Sequence, residues 1–298
     1  MNISQCKKWI EDHDEFLLDL VRIYLGAGLV FKAISFMPAD RQQDLIKMVQ
    51  GAGGLGVSPA TLVYGVIGAH LLGGLLLAVG LLTRWAALVQ IPVLLGVVFY
   101  VDLPQMKNPV AAIDARQHVE FSALVLFLMV LFFVRGAGPY SLDHRLFPKP
   151  AKKTHDHLAY ALIRIYLGLG LFLKAVFFMS PDNQRMLMKQ MEDLGSFWFA
   201  PAAALHYVIP VHLLGGILLA IGLLTRVAAG LQIPILLGVI FYLYLPQVTI
   251  APRQNLEFSG LVLFLLAVFF VRGSGHYSVD NYLSRSHSKS VEESGAYA

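Results

Sequence analysis

The chain has 298 residues, 57% of them hydrophobic and only 14% charged, with a mean hydropathy of +0.64. Soluble domains carry roughly 25% charged residues. Here the apolar residues come in long runs with too little polar surface to cover them, which excludes a water-soluble fold and points to an all-α integral membrane protein. The net charge of +4 sits on Lys and Arg gathered in loops and flanks, and no basic helix or aromatic–basic interleaving points to nucleic acid. A single cysteine, Cys6, rules out a disulfide framework, a thiolate zinc site and an iron–sulfur cluster built within the chain.

Residues 1–15 read as a short polar lead without the basic stretch, short apolar run and small-residue cleavage site of a signal peptide, so the first span is expected to stay in place. That span covers about 16–37, and a polar loop with a Gly-rich piece at 51–56 follows it. Ser58-Pro59 starts the second span, Ser as N-cap and Pro at the first helical position. Thr83-Arg84 makes a turn into a third span over 85–103, in which Pro92 predicts a kink. The loop from Pro104 to Gln117 leads to a fourth span at 118–135, closed by Gly136 as C-cap in RGAGPYSLD.

The chain then repeats itself. HLLGGLLLAVGLLTRWAALVQIPVLLGVVFYV at 70–101 returns as HLLGGILLAIGLLTRVAAGLQIPILLGVIFYL at 212–243, a constant offset of 142 residues. Beyond the third span the offset becomes 137, so Glu120 matches Glu257 and GxGxYSxD at 136–143 returns at 273–280. The expected organisation is a four-helix unit at 16–145, a Pro/Lys-rich linker at 146–157, a second unit at 158–283 and a polar, disordered tail at 284–298. Eight transmembrane helices in two sets of four give parallel repeats. Twelve Lys and Arg fall on the side of the termini, linker and 84/226 turns, seven on the opposite loops, and four inside spans; the positive-inside rule puts both termini in the cytoplasm.

The four intramembrane cations are Arg22 and Lys32 and their repeats Arg164 and Lys174. Each needs a partner or a route to water; snorkelling anchors are one solution. Glu120 and Glu257 open the fourth and eighth spans at the depth of Lys32 and Lys174, which suggests the pairs Lys32–Glu120 and Lys174–Glu257. Such a pair can fix helix register or present a proton-accepting carboxylate at the mouth of a polar cavity. His70 and His212 lie roughly 15 Å into their spans at 1.5 Å per residue. On a helical wheel Gly73, Gly74 and Arg84 share the His70 face, and Gln90 and Gln232 add amides across the turn. A histidine here can be a satisfied interhelical contact, a haem ligand, or a hydrogen-bond partner for a quinone or similar polar-headed lipid. His118 aligns with Asn255, so no second repeated histidine supports haem. His70, Arg84, Gln90, His212, Arg226 and Gln232 are the candidate ligand-binding set, with no metal. The glycines at 26/28 and 168/170 read as close-packing positions.

The first span with its RxxLG sequence, a glycine-rich second span closing in GLLTRxAA, the acidic start of the fourth span and the GxGxYSxD end resemble the DoxX family of four-helix membrane proteins. The resemblance covers nearly all of 16–145 and 158–283, a tandem arrangement. It implies a bacterial cytoplasmic (inner) membrane location, a link to quinone or redox chemistry as at most an oxidoreductase subunit, and redox-enzyme partner subunits. Quinone is the one cofactor it suggests, and no catalytic residue carries over. A non-enzymatic scaffold or assembly factor and a small-molecule transporter are the other readings.

Overall fold

The computed structural model describes residues 14–51, 56–106, 112–147, 153–193, 201–245 and 254–286. The N-terminal lead before 14 with Cys6, most of the Gly-rich piece at 51–56, the middle of the linker and the tail after 286 lie outside the described residues. Every element among the described residues is helical, and they divide into two compact units, 14–156 and 157–286. In the first, α1 is Asp14–Ser35, α2 Ala39–Gly51 and α3 Pro59–Val79. Next, α4 runs over Thr83–Gly96, continues through a π-helical stretch Val97–Asp102 and ends in Leu103–Gln105. After it come α5 at Ala112–Arg135 and the short α6 at Leu142–Leu146. The second copy gives α7 (Lys153–Phe178), α8 (Pro181–Asp193), α9 (Pro201–Ile221), α10 (Thr225–Gly238, continued by π-helical Val239–Tyr244), α11 (Gln254–Arg272) and a last helix α12 at 279–286.

Seven of these helices are long and apolar enough to cross a membrane. The eighth long helix, α1, has the length, 22 residues, but carries Asp19, Arg22 and Lys32 within it. Its repeat α7 has Ala161 where α1 has Asp19. The protein is an all-α integral membrane protein.

Three expectations need correction. The polar loops after the first and fifth spans fold into helices, α2 and α8, of 13 residues each; α2 contributes no buried residue. Helix α7 starts at Lys153, so the end of the expected linker is its first turn. Pro92 and Pro234 lie inside α4 and α10, and the backbone answers with a π-helical stretch beginning five residues later in each copy. There the Leu103 N–H donates to Val98 O, five residues back. Such widening inserts a residue into the turn and re-aims the side chains after it.

Helices α1 and α3 cross at backbone contact. A Cβ on Gly26 would run into the Ala78 nitrogen, and one on Gly74 would come within 2.8 Å of Gly26 O. Gly168 and Gly216 make the corresponding crossing of α7 and α9, 2.5 Å from Ala220 N and 2.6 Å from Phe172 N. Only the first glycine of each pair is used this way, since Gly28 and Gly170 have nothing within 4 Å. Small residues at such crossings let main chains approach where hydrophobic association is weak, as it is in lipid. Gly26→Val is therefore expected to destabilise the detergent-solubilised protein by roughly 1–3 kcal/mol through overpacking. Gly28→Ala is expected to be neutral or to stabilise by about 0.5–1 kcal/mol. Thermal unfolding followed by fluorescence-detected size exclusion checks both.

Candidate functional site

Polar side chains buried in each unit collect at two levels. The first level is the end where α3 turns into α4. Helix α3 stops at Gly80 in the left-handed conformation (φ 72°), with Leu81 N–H donating to Leu76 O and Gly80 N–H to Leu77 O. The next residue but one, Leu82, is also left-handed at φ 50°, a strained conformation for a side-chain-bearing residue. Asp143 holds it there: its carboxylate accepts from Leu82 N–H at 2.7 Å and Thr83 N–H at 3.0 Å, while its own N–H donates to Gly80 O at 2.8 Å. Asp143 is thus a cap for α4 supplied from the far end of the unit. The Ser141 hydroxyl donates to Gly138 O at 2.5 Å and accepts from His144 N–H at 3.1 Å, capping α6.

Arg22 completes this level. It is fully buried and donates to Leu77 O at 2.5 Å, Ala78 O at 2.8 Å and Tyr140 O at 2.9 Å. Two of these carbonyls end α3, where a cation complements the helix dipole. Its Nε donates to Asp19 Oδ1 at 3.1 Å, and the other Asp19 oxygen accepts from Tyr140 N–H at 3.0 Å. A Cβ on Gly138 would collide with that carboxylate. The snorkelling alternative for Arg22 fails, because its charge is met inside the protein. Arg84 also works at this level, its guanidinium donating to Val134 O at the end of α5 at 3.1 Å. Gly136, left-handed at φ 81°, caps α5 as its sequence position suggested.

The second copy keeps the design with different chemistry. Asp280 accepts from Leu224 N–H at 2.9 Å and Thr225 N–H at 3.4 Å, again holding a left-handed leucine. Arg226 donates to Arg272 O at 3.1 Å. The buried Arg164 donates to Ser274 O and, at 2.6 Å, to Tyr277 O. Ala161 stands in place of Asp19, and the ring of Tyr160 presses on Gly275 where Asp19 presses on Gly138. The Tyr160 hydroxyl donates to Gly273 O at 2.8 Å, and the Arg272 guanidinium lies 3.6 Å over its ring.

The second level lies mid-span and toward the opposite end. His70 and Gln90 are buried on facing positions of α3 and α4. The Gln90 amide donates to Ala69 O at 2.7 Å, and a Cβ on Gly73 would stand 2.5 Å from that nitrogen. Phe36 stacks on the His70 ring at 6.5 Å between centroids, and the Lys32 ammonium sits 5.6 Å from the centre of Phe36, in electrostatic range of His70. The second copy repeats each element. Gln232 donates to Val211 O at 2.8 Å, Phe178 faces His212 at 6.3 Å, and Lys174 lies 5.8 Å from Phe178. Within these stations His70 Nδ1, Gln90 Oε1, His212 Nδ1 and Gln232 Oε1 are buried with no hydrogen bond of good geometry, although in the first copy the Gln90 side chain lies within polar reach of the His70 ring.

The structure therefore brings His70 together with Gln90, and His212 with Gln232, but leaves Arg84 and Arg226 at the other level. The helical-wheel argument fails for Arg84 because α3 ends at Gly80 and the wheel does not continue through the turn. Glu120 is bridged to Arg116 one turn back on α5 at 3.0 Å, and Glu257 occupies the first turn of α11. The carboxylate beside Lys32 that sequence reading passed over is Asp102, at the end of the π-helical stretch. Also missed were Asp19, Phe36 and Phe178. Asp19 was legible as the acid three residues before Arg22, a spacing at which helical side chains meet.

Removing one partner of the buried pair is expected to be severe. Asp19→Ala should destabilise the first unit by about 3–5 kcal/mol by leaving Arg22 without its carboxylate. The double variant Asp19→Leu with Arg22→Leu should lose less than Asp19→Ala alone. Denaturant unfolding in mixed micelles distinguishes the two outcomes.

The DoxX family profile matches residues 17–103 and again 159–245. No curated protein and no solved structure matches the chain. The two matches cover α1 through the π-helical stretch of α4, and the same elements of the second copy, and so include both polar stations and the α3–α4 turn. The chain belongs to the DoxX family, as a tandem of two such units.

Proposed function

We propose that the protein is a membrane subunit of a quinone-linked or redox-associated complex and that each unit holds a quinone or similar amphipathic ligand by its polar head at the histidine–glutamine station. The observation that carries this reading is the set of orphaned atoms, His70 Nδ1 with Gln90 Oε1 and His212 Nδ1 with Gln232 Oε1. A buried polar atom without a partner costs about 1–3 kcal/mol, and here the same two are left so in both copies. Their chemistry suits the ligand. A histidine nitrogen can donate to a quinone carbonyl, and a glutamine carbonyl can accept from the hydroxyl of the reduced quinol. Phe36 and Phe178 add aromatic faces beside a flat ring, and Lys32 and Lys174 add a positive field. Arg84 and Arg226 drop out of the ligand-holding set.

The same reading includes redox-enzyme partner subunits, a bacterial cytoplasmic membrane and both termini in the cytoplasm. The uneven distribution of Lys and Arg supports that orientation, which puts the α3–α4 turn on the cytoplasmic side. Purification in mild detergent, lipid extraction and mass spectrometry test the ligand. Quinone is expected to co-purify. His70→Ala with His212→Ala should lower its occupancy about tenfold or more, the equivalent of one lost buried hydrogen bond per site. Absence of quinone from the wild-type protein, or full occupancy in the double variant, refutes the reading and leaves the scaffold as the better account.

A further inference from the structure

The two units differ at one place in a coordinated way. Asp102 is buried at 2% exposure and accepts from the Ser122 hydroxyl, itself buried, at 2.7 Å. Among the described residues, the charged and titratable groups that act on it electrostatically are His118 from α5 and Lys32 from α1. In the second copy Ser259, Lys174 and Glu257 keep the places of Ser122, Lys32 and Glu120, but Tyr244 replaces Asp102 and Asn255 replaces His118. The carboxyl and the imidazole are gone together, while the serine, lysine and glutamate beside them are retained.

We propose that Asp102 is a proton-binding site, present in the first unit and absent from the second, with His118 linking it to water. The contrast with Asp19 is the reason. Asp19 is clamped by a guanidinium at 3.1 Å and a backbone N–H at 3.0 Å, an arrangement that suits only the carboxylate. Asp102 instead takes its hydrogen bond from a neutral hydroxyl, which can turn from donor to acceptor when the carboxyl gains a proton. Lys32 acts on it through space and also faces the His70 station. The π-helical stretch is what brings Asp102 inward to Ser122, three residues before α4 ends at Gln105. His118 is half-buried on α5, two residues from each member of the partly exposed Arg116–Glu120 pair. The step is simple. One proton enters by way of His118 and converts the carboxylate to a carboxyl, and the local charge of Asp102 with Lys32 rises from zero to plus one. Tyr244 puts a phenol where the first unit has the carboxyl.

Proton binding at Asp102 does not require quinone as the ligand. Attenuated-total-reflection infrared spectroscopy of the reconstituted full-length protein, stepped through pH, reads it directly. The wild type should show a protonated-carboxyl C=O band that is lost as pH rises. Asp102→Asn should lose the band and Asp102→Glu should shift it, while Tyr244→Phe leaves it in place. Ser122→Ala should move its frequency by removing the hydroxyl partner, which tests the assignment even where the asparagine variant fails to fold. A titrating band unchanged in both Asp102→Asn and Asp102→Glu, or no such band in the folded wild type at any pH, overturns the proposal. Loss of bound quinone with the band intact would sink the ligand reading alone.

Discussion

The structure of each unit depends on a carboxylate reaching back across the sequence to hold a helical turn. Asp143 and Asp280 each take two backbone N–H groups at a leucine forced into the left-handed conformation. Meeting those N–H groups is what holds the short, strained turn between α3 and α4 in place. Satisfying them from α6, which follows α5, ties the end of the unit to its middle two helices. Arg22 does the same for the other end of the break, taking the Leu77 and Ala78 carbonyls and fixing α1 to the turn. One level thus carries the closure of all four helices, and the other is relieved of structural duty.

Buried polar atoms without a partner occur at both levels, the histidine–glutamine atoms at one and Thr83 Oγ1, Thr225 Oγ1 and Arg164 Nε at the other. Gln90 crosses to α3 through the space that Gly73 leaves, and Gln232 does so through Gly215, so the floor of each station is helix backbone held by the α3–α4 and α9–α10 hairpins. The orphaned histidine and glutamine atoms sit on that floor. A destabilising feature that recurs in both copies is tolerable because the stability comes from elsewhere in the unit.

Much of this was legible in the sequence. The repeat, the apolar runs, the Ser58-Pro59 start and the Gly136 cap each rest on local rules, and the helix boundaries recur at the same 142-residue offset. Reading failed where geometry is not local. A helical wheel assumes one continuous helix, so Arg84 was placed with His70 although a left-handed glycine intervenes. Asp102 was missed because its inward direction comes from a π-helical stretch, and apolar periodicity counted at 3.6 residues per turn does not register an inserted residue.

Duplication makes the remaining inference possible. Two copies of one ancestor agree by descent, so shared residues such as His70 and His212 say more about the fold than about chemistry. Differences carry the opposite weight. Tyr160 and Ala161 stand where the first copy has Leu18 and Asp19, Gly138 and Arg22 keep their counterparts, and the buried Arg164 donates to two carbonyls while its Nε has no partner. That exchange preserves a structural role by other means. The exchange of Asp102 and His118 for Tyr244 and Asn255 preserves Ser259 and Lys174 but leaves neither a carboxyl nor an imidazole at those two places. In the first case the buried arginine keeps its carbonyl partners by other means; in the second the serine and lysine stay while the carboxyl they faced does not, which is the pattern the proposed proton site in the first unit predicts.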